Sequence, residues 1–255
     1  MKYLFEIHCH TSESSGCASE TAEATVKAYK EKGYAGVVIT DHLGIGSKKD
    51  DWTEHCLHQQ AGYRNAKAVA EKYGMTVLYG AEITVRPFGG NDFLCLGLEP
   101  EWWSDHPELE DMSLYDILKT VREAGAFVSH AHPFREANYI KSIVLVPRLI
   151  DGVELNANRT DFENERAAEY AAAYEKPLTA GSDNHTAHRQ KRIFGMDFYE
   201  CPKTEKELAE LLFAGKYDIK TARKNNTFNN RQESNHEQPP KASAIQKKYL
   251  QKKAE

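Results

Sequence analysis

Imidazoles and carboxylates gather at five places in this chain, each at the end of a short apolar run. His8-Cys9-His10 follows residues 3–7, Asp41-His42 ends the run 36–40, and Glu82 follows 75–81. His130-Ala131-His132 then follows 127–129, and Asp183-Asn184-His185 follows 177–182. These clusters take six of the eleven histidines. On a strand, side chains alternate faces, so His8 and His10 point the same way and Cys9 points the other, where packing is its role. Asp183 and His185 repeat that alternate spacing. A lone histidine beside a strand is usually a satisfied structural group. Burying this many carboxylates and imidazoles together without a cation would be costly. Nitrogen and oxygen donors without thiolates suit zinc, manganese or iron, and do not choose between them.

Strand-like runs that each finish in such a residue place the donors along one rim of a parallel sheet or barrel, the end where these folds carry their chemistry. Between the runs lie amphipathic stretches. Residues 21–32 predict a helix stopped by Gly33, and 53–73 a second stopped by Gly74. Residues 114–124 and 205–214 follow helix-start signals, with Thr204 to Glu207 matching a capping box, and 164–175 precedes Pro177. Further strands are expected at 152–155, at 178–181, at 218–221 and at 92–98, the last in a hairpin-like pair with the strand before it. Strand–helix alternation on short linkers argues for a parallel α/β domain. Its length of 255 residues suits one barrel. After Arg223 the chain turns polar and Asn-rich. Residues 1–223 are expected to form the domain and 224–255 a disordered tail, with a short basic helix within 242–253.

Net charge is −5 and unevenly spread: from Lys224 onward seven Lys/Arg face three Asp/Glu, so the rest of the chain is strongly acidic. An acidic body is a poor general binder of nucleic acid. No run approaches the roughly 18 apolar residues that span a bilayer. The N-terminus turns acidic at Glu6, too soon for a signal-peptide apolar region. Five cysteines without a CxxC pair do not read as a disulfide framework, and a cytoplasmic location is expected.

His8-Cys9-His10-Thr11, Ile39-Thr40-Asp41-His42, Gly80-Ala81-Glu82, Ala131-His132-Pro133 and Gly181-Ser182-Asp183-Asn184-His185 resemble, in order and approximate spacing, the motifs of the PHP (polymerase and histidinol phosphatase) family. The likeness covers residues 1 to about 220. It implies a distorted TIM-like (β/α)7 barrel that binds two or three divalent metal ions and hydrolyses phosphoester bonds. By motif position the ligands would be His8, His10, His42, Glu82, His132, Asp183 and His185, with Glu82 bridging. The chain departs from the pattern at Ser15, where many members carry a metal-binding carboxylate or imidazole, and at Asp92, where three-metal members have histidine. Two tightly held ions are therefore expected, with a third dependent on Asp92 or Glu13. The interval from Asp92 to His130 leaves no room for the insertion seen in relatives acting on nucleotide bisphosphates.

Two cations a few ångströms apart can clamp a phosphoryl group, activate water and stabilise the leaving oxygen. Such a group also needs fixed positive charge, and an arginine fork matches it. Arg135 is the first candidate and Arg159 the second; Arg135, Asp183 and His185 are the expected catalytic residues. Arg189 and Arg192 read equally well as surface charges. His130 could ligate, support a ligand or cap its strand, and Asn156 and Asn158 could bond substrate or ligands. The expected activity is hydrolysis of a small phosphomonoester: a sugar, amino-alcohol or nucleotide phosphate. The alternatives are exonuclease or phosphodiesterase cleavage of nucleic-acid ends, or a silent metal-bound binding module. Composition does not fix the oligomeric state. A chain ending near Arg223 should keep its melting point and its rate on small substrates, and thermal denaturation with a parallel assay checks this.

Overall fold

The computed structural model describes residues 1–47 and 51–221. The expected tail lies outside those residues. Ten strands form one sheet: β1 (Tyr3–Cys9), β2 (Gly36–Ile39), β3 (His42–Ile45), β4 (Thr76–Val85), β5 (Asp92–Leu96), β6 (Phe127–His130), β7 (Gly152–Asn156), β8 (Leu178–Gly181), β9 (Phe194–Phe198) and β10 (Tyr217–Thr221). The seven α-helices are α1 (Ala22–Glu31), α2 (Trp52–Gln59), α3 (Ala61–Tyr73), α4 (Pro100–Ser104), α5 (Leu114–Glu123), α6 (Asp161–Ala173) and α7 (Glu205–Phe213).

Spatial order runs β10-β9-β1-β2-β4-β5-β6-β7-β8, with β3 paired to the far half of β4. β1, β2 and β4 are parallel, as are β6, β7 and β8. β5 lies antiparallel between the two groups, so the expected hairpin-like pair is present. The sheet curls until β8 meets β1, through a bridge between Cys9 and Asn184 and the hydrogen bonds His10 N to Asn184 O (2.9 Å) and Asn184 N to His8 O (3.3 Å). The result is the nearly closed, distorted barrel the motifs imply.

Local chemistry explains most elements. β2, Gly-Val-Val-Ile, is buried throughout, as a strand covered on both faces must be. In α5 the residues Leu114, Ile117, Leu118 and Val121 form one buried stripe. The stretch 53–73 is two helices, not one. They meet at Gln60, whose Nε2 donates to Pro100 O and Ser104 Oγ, while Gln59 donates to Asp41 O. Buried amides bonded to other segments fix a joint that helical periodicity does not reveal. Caps differ too. Glu207 bonds Lys203 N, not the Thr204 amide, whereas the full capping box is Thr160 with Glu163. β3 and β9 had no sequence signal of their own.

The main core lines the barrel and the layer beneath α5 and α7, and a second cluster of Val26, Tyr29, Val37, Ile39, Ala66 and Val77 packs α1 and α3 on the sheet. Cys9 belongs to that second cluster. Ile117 is fully buried. Ile117→Ala should cost about 2–5 kcal/mol in chemical denaturation, from lost transfer energy plus the cavity left behind, without altering metal content.

Candidate metal centre

The strand ends converge on Glu82. Its Oε1 lies 3.1 Å from His8 Nε2 and 3.1 Å from His132 Nε2, and its Oε2 lies 2.7 Å from His42 Nδ1 and 3.4 Å from His10 Nε2. Asp183 stands opposite. Its Oδ1 is 3.3 Å from His10 Nε2, 3.6 Å from His8 Nε2 and 3.6 Å from His185 Nδ1. The seven residues expected to be ligands are thus brought together at one end of the barrel. His8, His10, Glu82, His132 and Asp183 are all buried.

Several of these atoms lack hydrogen-bond partners although buried: His8 Nε2, His10 Nε2, Glu82 Oε2 and Asp183 Oδ1. They approach one another closely yet outside hydrogen-bonding geometry. Orphaned donors and acceptors pointing at a common point are costly alone and are satisfied by a cation. Donors within 4.8 Å of one another form three overlapping groups: His8, His10, Glu82 and Asp183; Glu82, Asp92 and His132; and His10, His42 and His185. The donor set fits divalent ions. Burial works against charge on Glu82, but His8 and His42 hold its pKa well below the usual range. Burial, then the neighbouring His42, pulls His10 down to about 3, which leaves the ring in the neutral form able to ligate a metal.

Two of the expected ligands occupy left-handed backbone, His132 at φ 27° and Asp183 at φ 52°. Non-glycine residues hold such conformations only where neighbours over-determine them. Glu154 Oε2 accepts from His132 N at 3.1 Å, and Asn158 Nδ2 donates to Asp183 O at 3.0 Å. Glu154 also pairs with His8 Nδ1 at 2.8 Å and accepts from Asn156 Nδ2 at 2.9 Å. That carboxylate fixes the His8 ring with Nε2 toward the cluster. Asn158 therefore braces Asp183 directly, and Asn156 braces Glu154. Space is tight as well: a Cβ on Gly181 would lie 2.6 Å from Glu154 Oε1 and 2.7 Å from His8 Cβ.

Other expected residues fall elsewhere. His130 is not in the cluster: its ring stacks on Phe93 and meets Tyr170 edge-on, in the layer under α6. β6 ends at His130, and the turn at His132 breaks the alternation that would have placed both rings on one face. Burial lowers the His130 pKa to about 3. Both Glu13 oxygens accept from Ala22 N at the start of α1, away from the donor groups. Ser15 donates to Asp41 Oδ1 at 2.6 Å. Asp92 does join Glu82 and His132. Arg135 Nη1 and Arg159 Nη2 reach to 4.0 and 3.8 Å from Asp183 Oδ2. Arg192 bonds Ala157 O and Arg159 O, so it braces the Arg159 loop. One neighbour carried no motif signal: Glu154, readable only as a charge in the middle of an apolar strand.

The sequence model of the PHP domain matches residues 6–255, and the chain belongs to the PHP domain family. No curated protein matches it in sequence. Among solved structures, it is similar to a two-domain protein from Bacteroides vulgatus containing a predicted PHP-like metal-dependent phosphoesterase (TM-score 0.62, 16% identity, 86% of this chain and 65% of that one). This chain thus spans just under two thirds of that protein. It is also similar to PsfC from Pseudomonas syringae (TM-score 0.58, 14% identity, 98% of each chain). A third is an amidohydrolase from Chromobacterium violaceum with bound sulfate and no metal (TM-score 0.52, 16% identity, 84% of this chain and 96% of that one). Among the described residues no helix is long and apolar enough to cross a membrane.

Two substitutions test the architecture. Glu154→Gln should weaken metal retention about 10–100-fold, measured by competition with a chelator, because the His8 ring loses its charged partner. His130→Phe should leave metal content unchanged. It should also raise stability as pH falls below 6.5, since a histidine neutral in the fold but protonated when unfolded costs stability there.

Proposed function

We propose that the chain is a phosphatase for small phosphomonoesters, using two divalent ions with a third at the rim. The observation that carries this reading is the pair Arg135 and Arg159, which brings two guanidinium groups over Asp183 at the open side of the cluster. Both side chains are about one-fifth exposed, open enough to meet a solute and confined enough to hold one orientation. Two forks at one point suit a terminal phosphoryl group with several free oxygens. The sulfate carried by the Chromobacterium violaceum amidohydrolase, an anion of similar shape and charge, supports the same reading.

The ions would be held by His8, His10, Glu82 and Asp183, by Glu82, Asp92 and His132, and by His42 with His185. Such ions supply Lewis acidity and lower the pKa of water toward neutrality. The protein does the rest. Arg135, flanked by the Tyr139 ring at 5.5 Å, and Arg159, braced by Arg192, orient the phosphoryl oxygens and offset charge that grows in the transition state. His185 Nδ1 is held by Asp183 O at 3.0 Å, which leaves Nε2 as its second proton-binding or ligating atom. The acidic body supports a small substrate over nucleic acid. Five free cysteines support a reducing compartment such as the cytoplasm.

Chelation, His10→Ala or Asp183→Ala should each lower turnover of an aryl phosphate at least about a hundredfold, the scale of several kcal/mol of lost Lewis-acid stabilisation. Activity that survives all three would overturn the metallohydrolase reading and leave the silent-module alternative. Arg135→Lys should lower kcat/KM although charge is kept, because the fork is lost. A panel of phosphomonoesters against labelled oligonucleotides separates phosphatase from exonuclease.

A further inference from the structure

The loop after His185 departs from the acidic character of the chain. Thr186-Ala187-His188-Arg189-Gln190-Lys191-Arg192 carries three Lys/Arg and no carboxylate, against a formal net charge of −5 for the whole. Its shape is fixed by side chains. Asn184 Nδ2 donates to Gln190 Oε1 at 2.6 Å, Gln190 Nε2 donates to Arg192 O at 2.9 Å, and Asn184 Oδ1 accepts from Thr186 N at 2.8 Å. Two of the basic groups are already engaged. The His188 ring pairs with Glu20, and Arg192 Nη2 lies 3.2 Å from Asp161 Oδ1. Arg189 and Lys191 are different: among the described residues no carboxylate pairs with either.

Those two side chains line a cavity of about 360 Å³ together with Asn158, His185 and Arg192. That volume falls within the ~300–1,000 Å³ of small-ligand sites. The cavity borders the metal centre. His185 belongs to the rim donor group, and Asn158 Nδ2 donates to Asp183 O at 3.0 Å. It borders the arginine pair as well, because Arg192 Nη1 bonds Arg159 O at 3.2 Å while Arg159 faces Asp183. A concave wall with two cations and no counter-charge gathers anions. A guanidinium fork beside an ammonium point charge suits a carboxylate or a phosphate.

We propose that Arg189 and Lys191 bind a second anionic group of the substrate, a carboxylate or a further phosphate, so that the substrate is anionic at both ends. This rests on the phosphatase reading above, with the scissile phosphoryl group at Arg135 and Arg159. A phosphomonoester of a neutral alcohol leaves the two charges unmet. An amino-alcohol phosphate brings a cation to them and is repelled, which gives the site its selectivity.

Steady-state kinetics on a matched set tests the assignment. Propyl phosphate is the reference, 2-carboxyethyl phosphate adds a carboxylate, propane-1,3-diyl bisphosphate adds a phosphate, and 3-aminopropyl phosphate adds a cation. At least one doubly anionic compound should exceed the reference in kcat/KM by at least about tenfold, the scale of one charge-assisted hydrogen bond, and the amine should fall below it. Preference for the carboxylate alone, or for the bisphosphate alone, identifies the group. The advantage should lie in KM more than in kcat and shrink as salt rises. Arg189→Ala combined with Lys191→Ala should erase it, and Arg189→Glu should bring the amine above the carboxylate. Both side chains are exposed, so neither variant leaves a buried void. Equal kcat/KM across the set in wild type, or a preference that survives both variants, would overturn the second anion site and leave the phosphatase standing. Failure to hydrolyse any of the set, or an aryl phosphate, would overturn both.

Discussion

A carboxylate with no exposed surface sits at the centre of this protein, surrounded by the rings of four histidines. Glu82 cannot be charged there without compensation, which His8 and His42 provide while burial keeps His10 neutral. Much of the upper barrel serves this constraint. Glu154 bonds both the His8 ring and the His132 amide, Asn158 holds the turn at Asp183, and Gly181 leaves the volume that His8 and Glu154 fill. A polar network of this kind rigidifies a site when it is satisfied and destabilises it when one member is missing.

The arrangement divides labour between depth and rim. Deep donors are oxygen and nitrogen, braced by carboxylates and amides within the sheet. At the rim, side chains come from loops: Arg135 after β6, Arg159 after β7 and His185 after β8. Loops mounted on a rigid barrel are where such folds vary their specificity. The similar structures share the fold at only 14–16% identity.

Legibility in the sequence followed the same division. Donors at strand ends were readable because alternation and apolar runs fix which face a residue takes, whereas the distorted barrel and the set of seven donors came from the resemblance of the motifs to the PHP family. His130 was ambiguous because a strand that stops one residue early changes the face of everything after it. Glu154 was missed because a single carboxylate inside an apolar strand matches no motif. The split of the second helix at Gln60 originates in side-chain amides bonded to distant segments, which no local pattern encodes.

The junction of β8 with β1 is the thinnest part of the barrel wall. Elsewhere neighbouring strands share a ladder; here a single bridge, two backbone bonds and the Ser182 amide on Glu6 hold the wall together. His8 and His10 lie on one side of that seam, and Asp183 and His185 on the other. An ion held by both sides acts as a clasp on the barrel, so its binding energy is also mechanical closure. Demetallation would loosen the wall along this line first, and hydrogen exchange at Asn184 and His10 would register it before the strands opposite.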